Sequence, residues 1–367
     1  MGSDTSSIAE FMTAARPLNL HPDRLFPSDP TQRAIARRLY AEVAGLPIVS
    51  PHGHTDPAWW AVDAPFANAT ELLLVPDHYV FRMLYSQGID LDALGIPRAD
   101  GSRAQVDPRE AWRLFARHYH LFRGTPSALW LDHVFHEVFG LRERLCADSA
   151  DRYYDAITDA LQTALFRPRA LFERFNIEVI ATTESPLDPL AHHQAIRDSG
   201  WRGRVVTAYR PDPVIDPEHE QFAQSLERFG EITGENVYDW DGYLRAHRQR
   251  RAFFASMGAT STDHGHPTCA TADLPPDQAR ALFTRVVTGK ADAADAELFR
   301  AQMLTEMAAM SLDDGLVMQI HPGCFRNHNR ALFERYGRDR GADIPLRTDY
   351  VHGLKPLLDR FGNEPRF

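Results

Sequence analysis

Short runs rich in apolar and β-branched residues alternate with longer amphipathic segments along the second half of the chain. The runs cover 177–183, 204–209 and 316–320, with a further strand end at 259–264, and each leads into polar side chains. Segments with helical periodicity lie near 187–198, 217–230, 238–256, 276–288, 293–312 and 346–361. Strands that alternate with helices predict βαβ units, a parallel sheet and the α/β class.

The first half of the chain predicts one more strand and a set of helices. Ile48-Val49 is a β-branched apolar pair that leads directly into polar residues. Asp29-Pro30 and Asp107-Pro108 predict helix starts, with Asp as N-cap and Pro at the first helical position. Further helices are expected near 70–87, 127–139 and 149–166. We therefore predict a lead-in over 1–27 and one domain over 28–367, with a helical insertion at about 59–170.

Chemically versatile side chains directly follow the predicted strands. They are His52, His54, Arg210, Asp263, His264 and His321. Such an arrangement is typical of a TIM-type (β/α)8 barrel, whose active site lies at the carboxyl ends of its strands. A doubly wound sheet is the alternative, but no G-x-G-x-x-G or Walker loop follows any of the strands.

Composition narrows the function classes. The net charge of −10 argues against nucleic acid or an anionic membrane as the main partner, and a small substrate is expected instead. Three scattered cysteines form no disulfide or zinc-finger pattern, which favours a reducing cytoplasm. Residues 1–15 lack a signal-peptide pattern, and no stretch is long and apolar enough to span a bilayer. The sequence leaves open whether the chain forms a homo-oligomer.

The segment His52-Gly53-His54 is the most informative motif. Side chains at i and i+2 of a strand project from the same face, so the two imidazoles are expected to converge. Gly53 allows the backbone to approach closely whatever they bind. Two neutral imidazoles suit a divalent metal, zinc first. The alternative is a pair of surface histidines in a turn.

Other candidates each have a structural alternative. His78 and Tyr79 could polarise a carbonyl and shuttle a proton, or simply pack behind an Asp77 cap. Arg210 could hold a carboxylate in a bidentate pair, or form a salt bridge with Asp212. Asp263 with His264 could be ligand, base or orienter, and His321 could be a core residue. We expect the remaining histidines of interest to be solvated: His192, His193, His266 and His328.

The lysine content separates two kinds of metal site. Many amidohydrolases bridge two metals with a carboxylated strand lysine, yet this chain has only Lys290 and Lys355, and neither lies on a predicted strand. A single metal is therefore preferred.

The motifs occur in the order seen in uronate isomerases of the amidohydrolase superfamily, which the chain resembles from about residue 20 to its end. They are His52-Gly53-His54, Asp77-His78-Tyr79, Thr182-Thr183-Glu184-Ser185-Pro186, Tyr209-Arg210-Pro211-Asp212, Thr262-Asp263-His264, and Gln319-Ile320-His321-Pro322-Gly323 with Arg326-Asn327. The Ser-Pro-His-Gly-His-Thr sequence around the first pair departs from the usual family pattern.

The resemblance implies a distorted (β/α)8 barrel with one zinc ion, bound by His52 and His54. It also implies active-site positions for His78, Tyr79, Arg210, Asp263 and His321, and Arg326 is a further candidate for substrate binding. Family members continue through further strands, one bearing an aspartate that is both metal ligand and proton-transfer base. We therefore expect the last strands to be missing here and the chain alone to be inactive.

The implied reaction converts D-glucuronate to D-fructuronate and D-galacturonate to D-tagaturonate through a cis-enediol. It requires a base, a polarised carbonyl and a clamp on the substrate carboxylate. Two alternatives remain open from the sequence. One is a mononuclear hydrolase acting on an acidic substrate, and the other is an inactive fragment or sugar-acid-binding module.

Overall fold

The computed structural model describes residues 16–366. Residues 1–15, which hold more than half of the predicted lead-in, and residue 367 lie outside the described residues. The chain divides into two compact units, and the predicted domain boundaries stay a prediction. Unit 1 comprises residues up to 47, 63–176 and 326–343, and unit 2 comprises 48–62, 177–325 and 344–367.

Unit 1 is helical. Its α-helices are Pro30–Val43, Ala69–Leu73, His78–Tyr85, Pro108–Arg117, Pro126–His133, Ala150–Leu161, Pro168–Arg174 and Arg330–Tyr336. Short 3-10 helices at Leu91–Leu94, Tyr119–Phe122 and Ala164–Phe166 and a π-helical turn at Val134–Val138 connect them. Aromatic side chains fill the core, and the indole N–H of Trp112 donates to the carbonyl of Ala150 over 3.1 Å.

The predicted helix starts of unit 1 are confirmed. Asp29 accepts a hydrogen bond from the backbone N–H of Gln32, and Asp107 accepts one from that of Arg109. The predicted helix near 70–87 is instead two helices, because Pro76 cannot continue the first one and Asp77 caps the second.

Unit 2 contains a five-stranded parallel sheet with its strands in chain order. The strands are β1 (Ile48–Ser50), β2 (Ile177–Glu184), β3 (Arg204–Tyr209), β4 (Ser261–His264) and β5 (Val317–Ile320). This order has no reversal point, unlike that of a doubly wound sheet, and it is the order of successive barrel strands. The α/β class is confirmed, while closure into an eight-stranded barrel stays a prediction.

The helices of unit 2 follow the predicted alternation. They are Ala58–Val62, Ala191–Asp198, Asp212–Ile215, Phe222–Thr233, Trp240–Ser256, Pro276–Val287, Ala293–Asp314, Tyr350–Gly353 and Lys355–Phe361. The last two replace one predicted helix over 346–361, and a small antiparallel pair, β6 (Cys324–Phe325) with β7 (Ile344–Pro345), is not predicted. None of the helices in 16–366 is both long and apolar enough to cross a membrane.

The strands and helices of unit 2 enclose their own apolar core. It includes Tyr209 on β3, Phe254 on the helix Trp240–Ser256 and Met307 on the helix Ala293–Asp314. Because this core anchors the strands, their carboxyl ends hold the polar residues that follow them in fixed positions.

Candidate active site at the strand ends of unit 2

The structure places five of the predicted site residues at one edge of the sheet in unit 2. His52 and His54 follow β1, Arg210 follows β3, Asp263 lies within β4, and His321 follows β5. Parallel strands bring their carboxyl ends to the same edge, so residues far apart in sequence meet there.

The two imidazoles of His52 and His54 converge through their Nε2 atoms, which lie 3.0 Å apart. The opposite nitrogen of each ring has its own partner. Nδ1 of His52 lies 3.0 Å from Oδ1 of Asp263, and Nδ1 of His54 lies 3.1 Å from the hydroxyl of Thr183. Gly53 lies under this pair, where a Cβ atom would come within 3.2 Å of the carbonyl oxygen of Ala181.

These partners fix the tautomers of the pair. A carboxylate only accepts, so His52 donates its Nδ1–H to Asp263 and keeps a lone pair on Nε2. The Thr183 hydroxyl donates to the carbonyl of Gly53 and accepts the Nδ1–H of His54, which leaves a second lone pair on that Nε2. Two lone pairs facing each other at 3.0 Å repel unless a cation lies between them.

The donor set therefore fits a divalent metal. Zn–N bonds of about 2.0–2.1 Å place neighbouring ligand nitrogens roughly 3 Å apart. The carboxylate behind His52 is the outer partner that metal-bound histidines ordinarily have. One nitrogen each from His52 and His321 also lies within 4.8 Å of a carboxylate oxygen of Asp263, so a third donor is close to the pair.

Asp263 is the electrostatic centre of the cluster and is completely buried. Its Oδ1 lies 2.8 Å from Nε2 of His321, and its Oδ2 lies 3.5 Å from Nη1 of Arg210. Burial by itself raises the pKa of this carboxyl group, but His321, Arg210 and His52 outweigh it and hold the pKa below its ordinary value. Asp263 is thus an anion at neutral pH that orients Arg210, His52 and His321 around it.

Arg210 is held between two carboxylates. Its Nε donates to Oδ2 of Asp212 over 3.2 Å. This is the salt bridge that the sequence offered as the alternative to binding a substrate carboxylate. Gly265 faces the guanidinium so closely that a Cβ atom would lie 2.7 Å from Nη2 of Arg210 and 3.2 Å from Cε1 of His321. A side chain at this position would require the ends of both side chains to shift.

Comparisons with known proteins decide between the alternatives left open by the sequence. The sequence model of the glucuronate isomerase family matches residues 30–366. The chain belongs to the uronate isomerase family. A uronate isomerase of Xanthomonas campestris pv. campestris (strain B100) is 79% identical over 351 residues, covering 96% of this chain and 74% of the relative. A uronate isomerase of Phenylobacterium zucineum (strain HLK1) is 69% identical over 349 residues, 95% of this chain and 72% of the relative.

Solved structures of uronate isomerases agree with the fold. The crystal structure of glucuronate isomerase from Caulobacter crescentus matches with a TM-score of 0.93 at 64% identity, covering 96% of this chain and 73% of that one. Uronate isomerase from Thermotoga maritima matches with a TM-score of 0.84 at 25% identity, covering 94% and 73%. The predicted resemblance and the isomerase function are confirmed, which argues against the hydrolase alternative. The expectation that this chain alone is inactive stays a prediction.

Three predicted site residues of this uronate isomerase lie in unit 1, and their predicted roles stay predictions. His78 and Tyr79 begin the helix His78–Tyr85 with their rings 4.3 Å apart, and Asp77 caps that helix. Tyr79 is 46% exposed. Arg326 lies with Nη1 at 3.4 Å from Oδ1 of Asp339.

Two histidines contradict the expectation that they are solvated. His193 is buried beside the hydroxyl of Thr182, with Nε2 at 2.9 Å, and burial lowers its pKa to about 4. His266 is also buried, and burial lowers its pKa as well. His192 and His328 are exposed as predicted.

Sequence reasoning also missed a second group at the strand ends of unit 2. Asp212, His264 and His266 each present one ligand atom, and the three atoms lie within 4.8 Å of one another. From the sequence, His264 is considered only together with Asp263, and Asp212 only as a salt-bridge partner of Arg210. The spacing His264-Gly265-His266 repeats that of His52-Gly53-His54, and this repetition was the signal that could have identified the second group.

Proposed function

We propose that this uronate isomerase interconverts D-glucuronate with D-fructuronate, and D-galacturonate with D-tagaturonate, at the strand ends of unit 2. One divalent metal, zinc, is bound there by His52 and His54. The observation that carries this assignment is the pair of lone pairs on the two Nε2 atoms, 3.0 Å apart and fixed by Asp263 and Thr183. The negative charge of Asp263 supports a bound cation.

A metal bound to this pair supplies Lewis acidity that stabilises negative charge on substrate oxygens. Asp263 supports the site from behind, because its hydrogen bond holds the His52 ring in the tautomer that presents Nε2. Thr183 does the same for His54.

Arg210 binds the substrate carboxylate in this proposal. A guanidinium offers several donors in a planar fork that matches a carboxylate, and only its Nε is used in the hydrogen bond to Asp212. Asp212 on one side and Asp263 on the other fix the plane of the fork before substrate arrives. Such preorganisation lowers the entropic cost of aligning the sugar acid.

In place of the aspartate that the resemblance implied as the base, His321 transfers the proton between C2 and C1 of the substrate in this proposal. Its side chain is 35% exposed, so substrate can reach it, and Asp263 lies 2.8 Å from its Nε2. An imidazole is suited to both accepting and donating a proton near neutral pH, as the formation and collapse of a cis-enediol require.

Metal content tests the assignment most directly. Zinc per chain and uronate isomerisation are measured in the wild type and in His52→Ala and His54→Ala, the zinc by mass spectrometry. Each variant is expected to lose one equivalent of zinc, with an affinity loss of about 10²-fold or more. His192→Ala removes an exposed imidazole of the same unit and is the control.

If both variants keep the wild-type metal content, the pair does not bind the metal and the proposal is wrong. The same conclusion follows if His192→Ala loses as much zinc as they do.

A further inference from the structure

The group formed by Asp212, His264 and His266 has the composition of a metal site. It offers two imidazoles and one carboxylate from the ends of neighbouring strands, with the three ligand atoms within 4.8 Å of one another. Oδ1 of Asp212 lies 3.8 Å from Nε2 of His266, which is too far for a hydrogen bond. Ligands of one small cation stand slightly closer together than this, so a shift of a few tenths of an ångström would complete the site.

The nitrogens of this group are buried without hydrogen-bond partners among the described residues. Nδ1 of His264 and both ring nitrogens of His266 are in this state. His264 is completely buried and His266 is 4% exposed. A buried polar atom without a partner costs about 1–3 kcal/mol, so three in one place favour binding of a ligand there.

The tautomer of His264 directs a lone pair into the group. Its Nε2 lies 3.0 Å from the hydroxyl of Thr262, a residue on the same strand. When that hydroxyl accepts the Nε2–H, the unpartnered Nδ1 carries a lone pair. Oδ1 of Asp212 likewise keeps a lone pair, because Arg210 binds Oδ2 and the Gly265 N–H is shared between Oδ2 at 3.1 Å and Oδ1 at 3.3 Å.

The charges around the group favour a cation. Asp216 and Glu297 lie outside the group and interact electrostatically with His266. Both also bind Arg300, Asp216 at 2.7 Å and Glu297 at 2.8 Å. Glu218 binds the same guanidinium over 2.7 Å. Together with Asp212 and Asp263, five carboxylates face two guanidiniums, those of Arg210 and Arg300, so negative charge exceeds positive charge around the group.

We propose that Asp212, His264 and His266 form a second divalent-metal site, distinct from the His52–His54 pair. Two imidazoles and a carboxylate suit a borderline first-row cation, with Zn²⁺ the first choice. The site ties the end of β3 to the end of β4. It also fixes Asp212, and through its Oδ2 the guanidinium of Arg210.

The test counts metal ions in the protein, equilibrated with excess Zn²⁺ and then freed of loosely bound ions. Mass spectrometry of the wild type is expected to give two equivalents per chain. His266→Ala and His52→Ala are each expected to retain one, and the double variant none. His247→Ala is the matched control, because it also deletes a buried imidazole with an unpartnered nitrogen and should retain two.

The outcomes separate this site from the proposed catalytic one. A wild type with one equivalent that His266→Ala keeps overturns the second site and leaves the first intact. A wild type with two equivalents, of which His266→Ala loses one and His52→Ala none, supports the second site and overturns the first. If His266→Ala does not fold, Asp212→Asn, which preserves shape, is expected to retain one equivalent, and retention of two overturns the proposal.

Discussion

Two completely buried histidines of unit 2, His264 at the strand ends and His247 among the helices, have very different surroundings. His264 stands beside Asp263 and close to the carboxylate of Asp212. Nδ1 of His247 is hydrogen-bonded to the hydroxyl of Tyr209 over 2.8 Å, and its ring is packed against Phe229 and Tyr243. Both have an unpartnered nitrogen, but only His264 lies near a carboxylate with which it could bind a cation.

The difference shows that partners, rather than burial, decide what a buried imidazole does. Burial lowers the pKa of His247 to about 3, and the positive charge of Arg251 adds to the effect. This residue is a neutral part of the core. At the strand ends, nearby carboxylates stabilise a bound cation, so imidazoles there can bind a metal or transfer a proton. Changes at the strand ends should therefore alter turnover or metal content, while changes around His247 should alter stability.

The largest effect is expected for His321→Asn. Asparagine keeps a polar side chain of moderate size but cannot transfer a proton, so kcat should fall by about 10²-fold or more with little change in the free energy of unfolding. Steady-state kinetics and denaturant unfolding measure the two quantities. Partial recovery of turnover with added imidazole is expected as well. Wild-type kcat in this variant would remove His321 from the reaction.

Arg210→Met should have a smaller and different effect. The flexible apolar side chain cannot bind a carboxylate, and this interaction contributes to ground state and transition state alike, so KM should rise by roughly 10- to 100-fold with a lesser change in kcat. Kinetics with each uronate provide the measurement. Arg202→Met, which changes an exposed arginine of the same unit outside the cluster, is the control. An unchanged KM would show that Arg210 does not bind the substrate and only forms a structural salt bridge with Asp212.

The smallest effect is expected for His247→Asn and concerns acid stability. The folded pKa of about 3 lies below the ordinary value of 6.5, so the unfolded chain binds the proton first and stability falls as the pH drops through this window. Between pH 7 and 5 the wild type should lose about 2 kcal/mol through this residue. Denaturant unfolding at both pH values should show this loss in the wild type and not in His247→Asn.

His192→Asn, which changes an exposed histidine, should retain the full loss of stability in acid. An identical acid dependence in His247→Asn and the wild type would show that His247 does not contribute. A fall in kcat for His247→Asn in a folded protein at pH 7 would break the distinction between the two kinds of buried histidine.

Much of the fold could be predicted because its signals are local. The β-branched runs gave β2 to β5, and Asp-Pro pairs gave helix starts, since capping acts within one turn. The errors were also local. Pro76 divides a predicted helix, and the short β6–β7 pair has too few residues to show a period.

The sequence by itself predicted that His52 and His54 face the same way, from their i and i+2 spacing directly after a strand. It also determined the order of strands and helices. Only the tertiary structure decided which partners these residues have. Asp263 meets His52 across 211 positions, and Asp212 meets His266 across a strand end. Burial of His193 and His266 was decided in the same way, because burial and charge pairing depend on elements that approach one another only when the sheet forms.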